Sequence, residues 1–152
     1  MTQLIAPDIN ITLPKNADEV PPAPKDVDDD CVLQVSISDN PIGWLAWSGD
    51  SYLQIVAERA NATGFRFAAA GPDYILPPYG DSSQRGLGIS RYATAQFYLP
   101  TDWWSKWMLK GQYLLCMTNV QYLGVEKPDN PYSSFLYAWN PYQALQITRQ
   151  KV

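Results

Sequence analysis

Alternating apolar and polar positions in the middle of the chain predict short β-strands. Residues 31–37 place three aliphatic side chains on one face of an extended segment, which is the period of two expected of a half-buried strand. Residues 38–41 read Ser-Asp-Asn-Pro, and these side chains favour turns. We therefore predict a turn there, followed by a second strand over residues 42–47.

Two stretches far apart in the chain resemble each other. Both open with Asp-Asn-Pro, at residues 39–41 and 129–131, and both close with Ala-Trp, at Trp47 and Trp139. Leu-Gln-Ile follows each of these tryptophans at the same distance, while the spacing from Asp-Asn-Pro to Trp differs by two residues. This imperfect repeat predicts two similar strand–turn–strand units that serve as framework.

Residues 51–60 fit two structures. Their apolar positions form a helical stripe behind an Asp-Ser cap, yet residues 52–58 also suit a strand that turns at 61–64 into residues 65–67. The repeat favours the strand, because its counterpart at residues 144–148 has an extended pattern. We predict a strand.

The second half of the chain continues the strand pattern. Residues 89–99 form the longest alternation and predict one long strand. Residues 113–117 resemble a buried strand that residues 121–125 continue after a kink. Residues 135–139 and 143–149 complete the predicted sheet.

One short helix is predicted between these strands. Residues 100–102, Pro-Thr-Asp, suit a helix N-terminus, and Gly111 suits a helix end, so the helix would span residues 103–110.

About seven to nine short strands with frequent turn residues indicate an all-β, mainly antiparallel domain. A β-sandwich or jelly roll is the predicted arrangement, with an open barrel as the alternative. We assign residues 31–152 to this domain and residues 1–30 to an extended N-terminal arm. Residues 71–88, with three prolines and four glycines, predict a long loop of the kind that is often functional.

The predicted arm is rich in proline and aspartate. Residues 1–30 carry seven acidic side chains and two lysines, whereas the whole chain has a net charge of −4, so binding of nucleic acid through the arm is disfavoured. Residues 9–13 alternate and can add a strand to the edge of a sheet, and the Pro-rich residues 21–24 are stiff. We expect the arm to become ordered on a partner. The candidate partner-binding residues are Ile9, Ile11, Leu13, Pro21, Pro22 and Pro24.

The residue types argue against catalysis. The chain has no histidine, which excludes Ser-His-Asp and Cys-His nucleophiles and histidine zinc sites. Residues 80–83, Gly-Asp-Ser-Ser, lack a base partner, and the aspartates at 26–30 lack the glycine and distal glutamate of a calcium loop. Paired carboxylates for glycoside hydrolysis remain open, because no spacing singles out a pair. We predict no enzyme, no cofactor and no metal.

Two cysteines, Cys31 and Cys116, are fewer than the pattern of small secreted domains requires. The N-terminus lacks the basic region and apolar core of a signal peptide, and no apolar run approaches ~18 residues. We expect synthesis in a cytosol with reduced thiols and no membrane association.

Aromatic side chains take the place of charged ones: charged residues are 17% of the chain, against ~25% in typical soluble domains. The three tryptophans of the predicted helix either plug one end of the sandwich or leave one ring exposed for a sugar or a subunit. Trp44 and Trp47 would point to opposite faces of their strand, which indicates a strand covered on both sides. The candidates for an aromatic contact or ligand surface are Trp103, Trp104, Trp107, Tyr79 and Tyr132.

Together these features predict a non-enzymatic structural subunit of a larger assembly. A viral or phage virion protein (a coat, head-decoration or tail component) has this composition, although the analogy is one of fold alone. The expected partners are copies of the chain itself, as a homo-oligomer, or other structural subunits, and the expected location is the virion. The alternative is a lectin-like β-sandwich that binds carbohydrate through exposed Trp and Tyr.

Overall fold

A computed structural model of the chain describes residues 30–49, 51–66, 68–70, 73–76 and 85–151. Within these ranges the chain forms fourteen β-strands and three 3-10 helices, and no α-helix. The strands are β1 (Asp30–Ile37), β2 (Asn40–Trp47), β3 (Leu53–Val56), β4 (Phe65–Arg66), β5 (Ala68–Ala70), β6 (Asp73–Ile75), β7 (Gly86–Ile89), β8 (Ala95–Tyr98), β9 (Trp107–Lys110), β10 (Tyr113–Cys116), β11 (Gln121–Val125), β12 (Leu136–Ala138), β13 (Gln143–Ala144) and β14 (Gln146–Lys151). The 3-10 helices are Arg59–Asn61, Thr101–Trp103 and Pro131–Ser133.

Antiparallel pairing builds one large sheet and one small one. The main path of the large sheet runs β3-β2-β1-β14-β10-β9-β6-β5, with β4 beside β1, β11 beside β10, and β12 and β13 beside β11. The β7–β8 hairpin forms the second sheet. The large sheet is nearly barrel-like. The prediction of an all-β, mainly antiparallel domain is therefore confirmed.

The first two strands match their prediction. Leu33 and Val35 of β1 are buried in the main core, on the face that the alternation assigned to them. Ser38 and Asp39 form the two-residue connection to β2, both with positive φ (51° and 67°). Two such residues give the turn geometry that matches the right-handed twist of a hairpin.

The strand interpretation of residues 51–60 is confirmed for β3, which pairs with β2. Leu45 and Ile55 lie opposite each other and are buried. Trp47 packs against the same core. Trp44 lies outside that core cluster and beneath the guanidinium of Arg59, 5.7 Å from the ring centroid. The two tryptophans of β2 thus cover its two faces, as predicted.

The predicted repeat is wrong as a structural repeat. Asp-Asn-Pro at 39–41 leads from a hairpin turn into β2, whereas the copy at 129–131 leads into a 3-10 helix. In the first copy Leu-Gln-Ile pairs directly with the Ala-Trp strand. In the second copy it leads into β14, which pairs with β1 and β10 and not with β12. Local sequence similarity did not fix pairing, because partners are chosen by long-range packing.

The single long strand predicted over residues 89–99 is wrong. The chain reverses between β7 and β8, and Ser90 stabilises this turn by accepting hydrogen bonds from the amides of Tyr92 and Thr94, each at 3.2 Å. Ala93 has a φ of 67°. A serine side chain that bonds to backbone two residues ahead competes with strand pairing, which the alternation did not reveal.

The predicted helix over residues 103–110 is also wrong. Thr101–Trp103 makes only one 3-10 turn, and β9 begins at Trp107. Gly111, with a φ of +61°, lies in the two-residue turn between β9 and β10 instead of ending a helix. Aromatic side chains favour strands, and pairing with β10 adds a ladder of backbone bonds that an isolated short helix lacks.

Strand β11 does not continue β10 past a kink, contrary to prediction. Residues 117–120 form a turn, and β11 pairs back on β10, with Leu115 opposite Tyr122. Val120 in this turn has a φ of 56°. Cys31 and Cys116 are both buried, and no disulfide joins them.

Candidate functional site: an exposed aromatic stripe

Five aromatic side chains from four separate segments lie near one another on the surface, and we call this group the aromatic stripe. Its members are Tyr52, Tyr98, Trp103, Tyr132 and Phe135. Trp103 meets Tyr98 edge to face at 5.3 Å between ring centroids, and Tyr52 meets Phe135 at 4.8 Å. Trp103 is 61% exposed, and Tyr132 and Phe135 are each 49% exposed.

A single β-bridge places Tyr52 and Tyr98 beside each other in the middle of the stripe. Tyr52 pairs with Gln96, and Tyr98 lies two residues further along β8, so Tyr52 and Tyr98 share one face. Partial burial and the neighbouring Tyr52 raise the pKa of Tyr98 above its ordinary value. The Tyr98 hydroxyl lies 3.1 Å from Oε1 of Gln96 and donates a hydrogen bond to it. The two phenols are therefore close enough to interact.

The other end of the stripe is held by Tyr132. Its hydroxyl donates a 2.6 Å hydrogen bond to the carbonyl of Ile42 in β2, so the 3-10 helix Pro131–Ser133 lies against the β2–β3 edge. Tyr52, Tyr132 and Phe135 line a shallow cleft of about 220 Å³. A tyrosine fixed at its polar tip presents its ring at low entropic cost.

The three neighbouring tryptophans occupy three environments. Trp107 is fully buried in the main core, and its indole N–H donates to the carbonyl of Leu87 at 3.1 Å. Trp104 is half-buried against Gly86, where a Cβ would overlap its ring, and its indole N–H donates to the carbonyl of Tyr98 at 2.5 Å. Trp103 alone of the three points mainly into solvent.

Backbone contacts fix Trp103 in place. Its amide donates to the carbonyl of Pro100 at 3.0 Å, and its own carbonyl lies against Gly88, where there is no space for a Cβ. The exposed ring therefore rests on a segment held tightly against the β7–β8 hairpin. A ring held this way suits a contact surface, because binding it costs little further ordering.

The predicted contact residues divide into described and undescribed ones. Trp103 and Tyr132 lie in the stripe, and Trp104 lies directly beneath it. Tyr79 and the arm residues fall outside the described part of the chain; the arm residues are Ile9, Ile11, Leu13, Pro21, Pro22 and Pro24.

Sequence reasoning missed Tyr52, Tyr98 and Phe135. The sequence could have indicated that Tyr98 is at the surface, because it lies on the polar side of the alternation in residues 89–99. No sequence pattern indicated Tyr52 or Phe135, because 83 positions separate them and only the fold brings their rings together.

Side chains able to hold a metal do not cluster in the described ranges: no group of three or more Cys, Asp or Glu is present there. None of the helices in the described part of the chain has the length and apolar character needed to cross a membrane. Searches against protein-family models and against curated proteins found no match.

Proposed function

We propose that the protein is a non-enzymatic structural subunit of a larger assembly, and that the aromatic stripe contacts a second copy of the chain. The observation that supports this proposal is the stripe itself: three of its rings are about half or more exposed and lie beside two further aromatic rings. Large exposed apolar patches mark interaction surfaces. Tyr and Trp are enriched where such surfaces hold most of the binding energy.

The surroundings of the stripe support a protein contact. The small cleft beside Tyr52 is lined otherwise by Ser48, Leu53, Gln54, Ser133 and Ser134, with no charged side chain. Interface centres are depleted in charge and surrounded by neutral polar groups. Little charge would have to be desolvated when a second copy covers this cleft.

The N-terminal arm is the second part of the proposal. The predicted strand at residues 9–13 is separated from the start of β1 at Asp30 by sixteen residues. An extended chain of that length spans about 50 Å, which is enough to reach a neighbouring subunit. We propose that the arm of one copy adds to the domain of the next.

A coat, head-decoration or tail component of a virion remains the proposed biological setting, with the β-sandwich or jelly roll as the proposed arrangement of the domain. This part rests on composition and on the analogy with other arm-bearing β-subunits. Mass spectrometry of particles purified from the native source checks it. Recovery of the protein only in the free fraction would contradict the virion setting.

Carbohydrate binding is the second candidate function, favoured by the exposed ring of Trp103, since such a ring can stack on a sugar face. A glycan array with the wild-type chain and with Trp103→Ala separates the two functions. Loss of sugar binding in Trp103→Ala supports the second candidate, and absence of binding to every glycan removes it at this surface.

Sedimentation equilibrium of the full chain tests the assembly. We expect species heavier than the 17.1 kDa monomer, and the double variant Trp103→Ala/Phe135→Ser should raise the dissociation constant by at least about 100-fold, from two hot-spot losses. Tyr92→Ala is the matched control, because Tyr92 is an exposed aromatic residue outside the stripe.

Deletion of residues 1–29 should abolish higher-order assembly and leave the domain folded. A wild-type monomer at all concentrations would overturn the proposal.

A further inference from the structure

A second concave surface lies away from the aromatic stripe, between the turn at residues 90–93 and the turn at 117–120. Its volume is about 600 Å³, which is within the range of ligand sites, ~300–1,000 Å³. The lining side chains with rings or polar groups are Ser90, Arg91, Tyr92, Thr118, Asn119 and Trp139. We call it the Trp139 cleft.

The two walls of the Trp139 cleft are tied together by one residue. The amide of Ala138 donates to the carbonyl of Ala93 at 2.9 Å, and the carbonyl of Ala138 accepts from Nδ2 of Asn119 at 2.9 Å. Ala138 ends strand β12 and is fully buried, so both turns are anchored to the core. Trp139 follows directly and lines the cleft between them. The cleft is therefore built before any ligand arrives, which lowers the entropic cost of binding.

The polar groups of the cleft are suited to hydroxyl and carboxylate recognition. Oδ1 of Asn119 is buried and has no hydrogen-bond donor within the described part of the chain. A buried acceptor without a donor is destabilising, so a donor that reaches it is favoured. Asn119 lines the cleft, and the hydrogen bond from its Nδ2 to Ala138 fixes its amide there.

Arg91 is the one charged side chain among the described residues that line the cleft. Its guanidinium lies 4.9 Å from the centroid of the Tyr92 ring and donates to the Tyr92 hydroxyl at 2.8 Å. This leaves most of its five N–H donors for other acceptors. Because a guanidinium matches a carboxylate with two parallel hydrogen bonds, the cleft combines an anion site with aromatic surfaces.

We propose that the Trp139 cleft binds a saccharide that carries a carboxylate, such as a uronic or sialic acid. Trp139 and Tyr92 offer rings for the apolar face of the sugar, Asn119 accepts from a hydroxyl, and Arg91 binds the carboxylate. Tyr92 is 69% exposed and can close over one side of the sugar. This site is separate from the aromatic stripe and goes beyond the proposed assembly function.

Titration calorimetry of the full chain against sialyllactose, a trimer of galacturonic acid and neutral lactose tests the site. We expect binding of an acidic sugar at a dissociation constant between about 10 μM and 1 mM, and weaker binding of lactose. Arg91→Ala should lower the affinity for the acidic sugar at least about tenfold, because one charge-assisted contact is lost. It should leave the affinity for lactose unchanged. Trp139→Ala should abolish both.

Two further variants keep the test decisive. Tyr92→Ala changes an exposed side chain and should weaken both sugar classes even if Trp139→Ala does not fold. Trp103→Ala, in the aromatic stripe, should leave all affinities unchanged. No binding of any of the three sugars at 10 mM, or equal binding by wild type and Arg91→Ala, would overturn the proposal. Binding lost only in Trp103→Ala would assign the sugar to the stripe and also overturn it.

The sugar-binding proposal and the assembly proposal can fail separately. If the sugars bind to a chain that sediments as a monomer, the cleft stands and the subunit proposal fails. If assembly occurs and no sugar binds, the cleft proposal fails alone.

Discussion

Asp39 and Gln146, 107 residues apart, exchange two hydrogen bonds. The Asp39 amide donates to Oε1 of Gln146 at 2.6 Å, and Nε2 of Gln146 donates to Oδ1 of Asp39 at 2.8 Å. Nε2 also donates to Oε1 of Gln112 at 3.0 Å. Through Gln146, β14 holds both the β1–β2 turn and the β9–β10 turn. One residue from each Asp-Asn-Pro…Leu-Gln-Ile stretch, Asp39 and Gln146, thus meets the other, although the two stretches are not equivalent units.

Replacement of Gln146 by Ala should destabilise the domain. It removes a buried side chain and its hydrogen bonds to Asp39 and Gln112, and each such bond contributes about 0.5–1.5 kcal/mol. Urea unfolding followed by tryptophan fluorescence measures the free energy of unfolding. Gln143→Ala is the control, because Gln143 is exposed and its side chain donates to the carbonyl of the neighbouring Ala144. Equal losses in the two variants would contradict the bridging role of Gln146.

Replacement by Ala should destabilise the domain much more at Trp107 than at Trp103. Trp107→Ala removes a side chain with 0% exposure from the main core and should cost about 3–5 kcal/mol of unfolding free energy. Trp103→Ala removes a ring that is 61% exposed and meets Tyr98 at its edge, and should cost no more than about 0.5–1.5 kcal/mol. Thermal melts by circular dichroism at low protein concentration separate the two. A large loss in Trp103→Ala would indicate that the ring packs on the domain and is not a free contact surface.

Gly88→Ala should destabilise the β7–β8 hairpin and displace Trp103. The added Cβ would overlap the carbonyl oxygen of Trp103, and overpacking of this kind costs about 1–3 kcal/mol and occasionally more. Gly111→Ala is the control: its surroundings are open, and its left-handed backbone alone costs about 1–2 kcal/mol. Chemical unfolding of both variants provides the comparison. If Gly88→Ala is the milder of the two, the close approach is not a constraint.

Alkaline pH should destabilise the protein, beginning with Cys116. Burial raises the pKa of its thiol above the ordinary 9.0, and hydrogen bonds with Ser105 and Thr118 only partly oppose this. Above pH 9 the unfolded chain releases the thiol proton while the folded chain retains it, so stability falls as pH rises. The raised pKa values of Tyr98, Tyr137 and Tyr142 extend the loss above pH 10.

Urea unfolding between pH 8 and 10 measures this dependence, with Cys116→Ala as the comparison. The variant lacks the thiol and should be less stable at pH 8, but its stability should fall less steeply between pH 9 and 10. Parallel curves for the two proteins would show that Cys116 does not set the alkaline slope.

Parts of the fold and site followed from local pattern. The alternation in β1 assigned Leu33 and Val35 to the core, and the turn residues before β2 marked the hairpin. The tryptophan-rich segment identified Trp103, yet its helical assignment gave the wrong relation among the three rings. Their separate environments depend on Leu87, Gly86 and Gly88 of β7, which approach from the preceding hairpin. The local sequence pattern around the tryptophans does not predict this packing of β7 against them.

The sequence by itself determined the all-β class, the position of β1 to β3, and the excess of aromatic over charged side chains. Those properties depend on side-chain period, turn chemistry and composition, which act over a few residues. The tertiary structure decided where the chain reverses, which strands pair and which rings reach the surface. Tyr52 meets Phe135, and Ala138 joins Ala93 to Asn119, only after distant strands are brought together. Long-range packing selects one pairing among several that local preferences allow, and the aromatic stripe and the Trp139 cleft arise at that step.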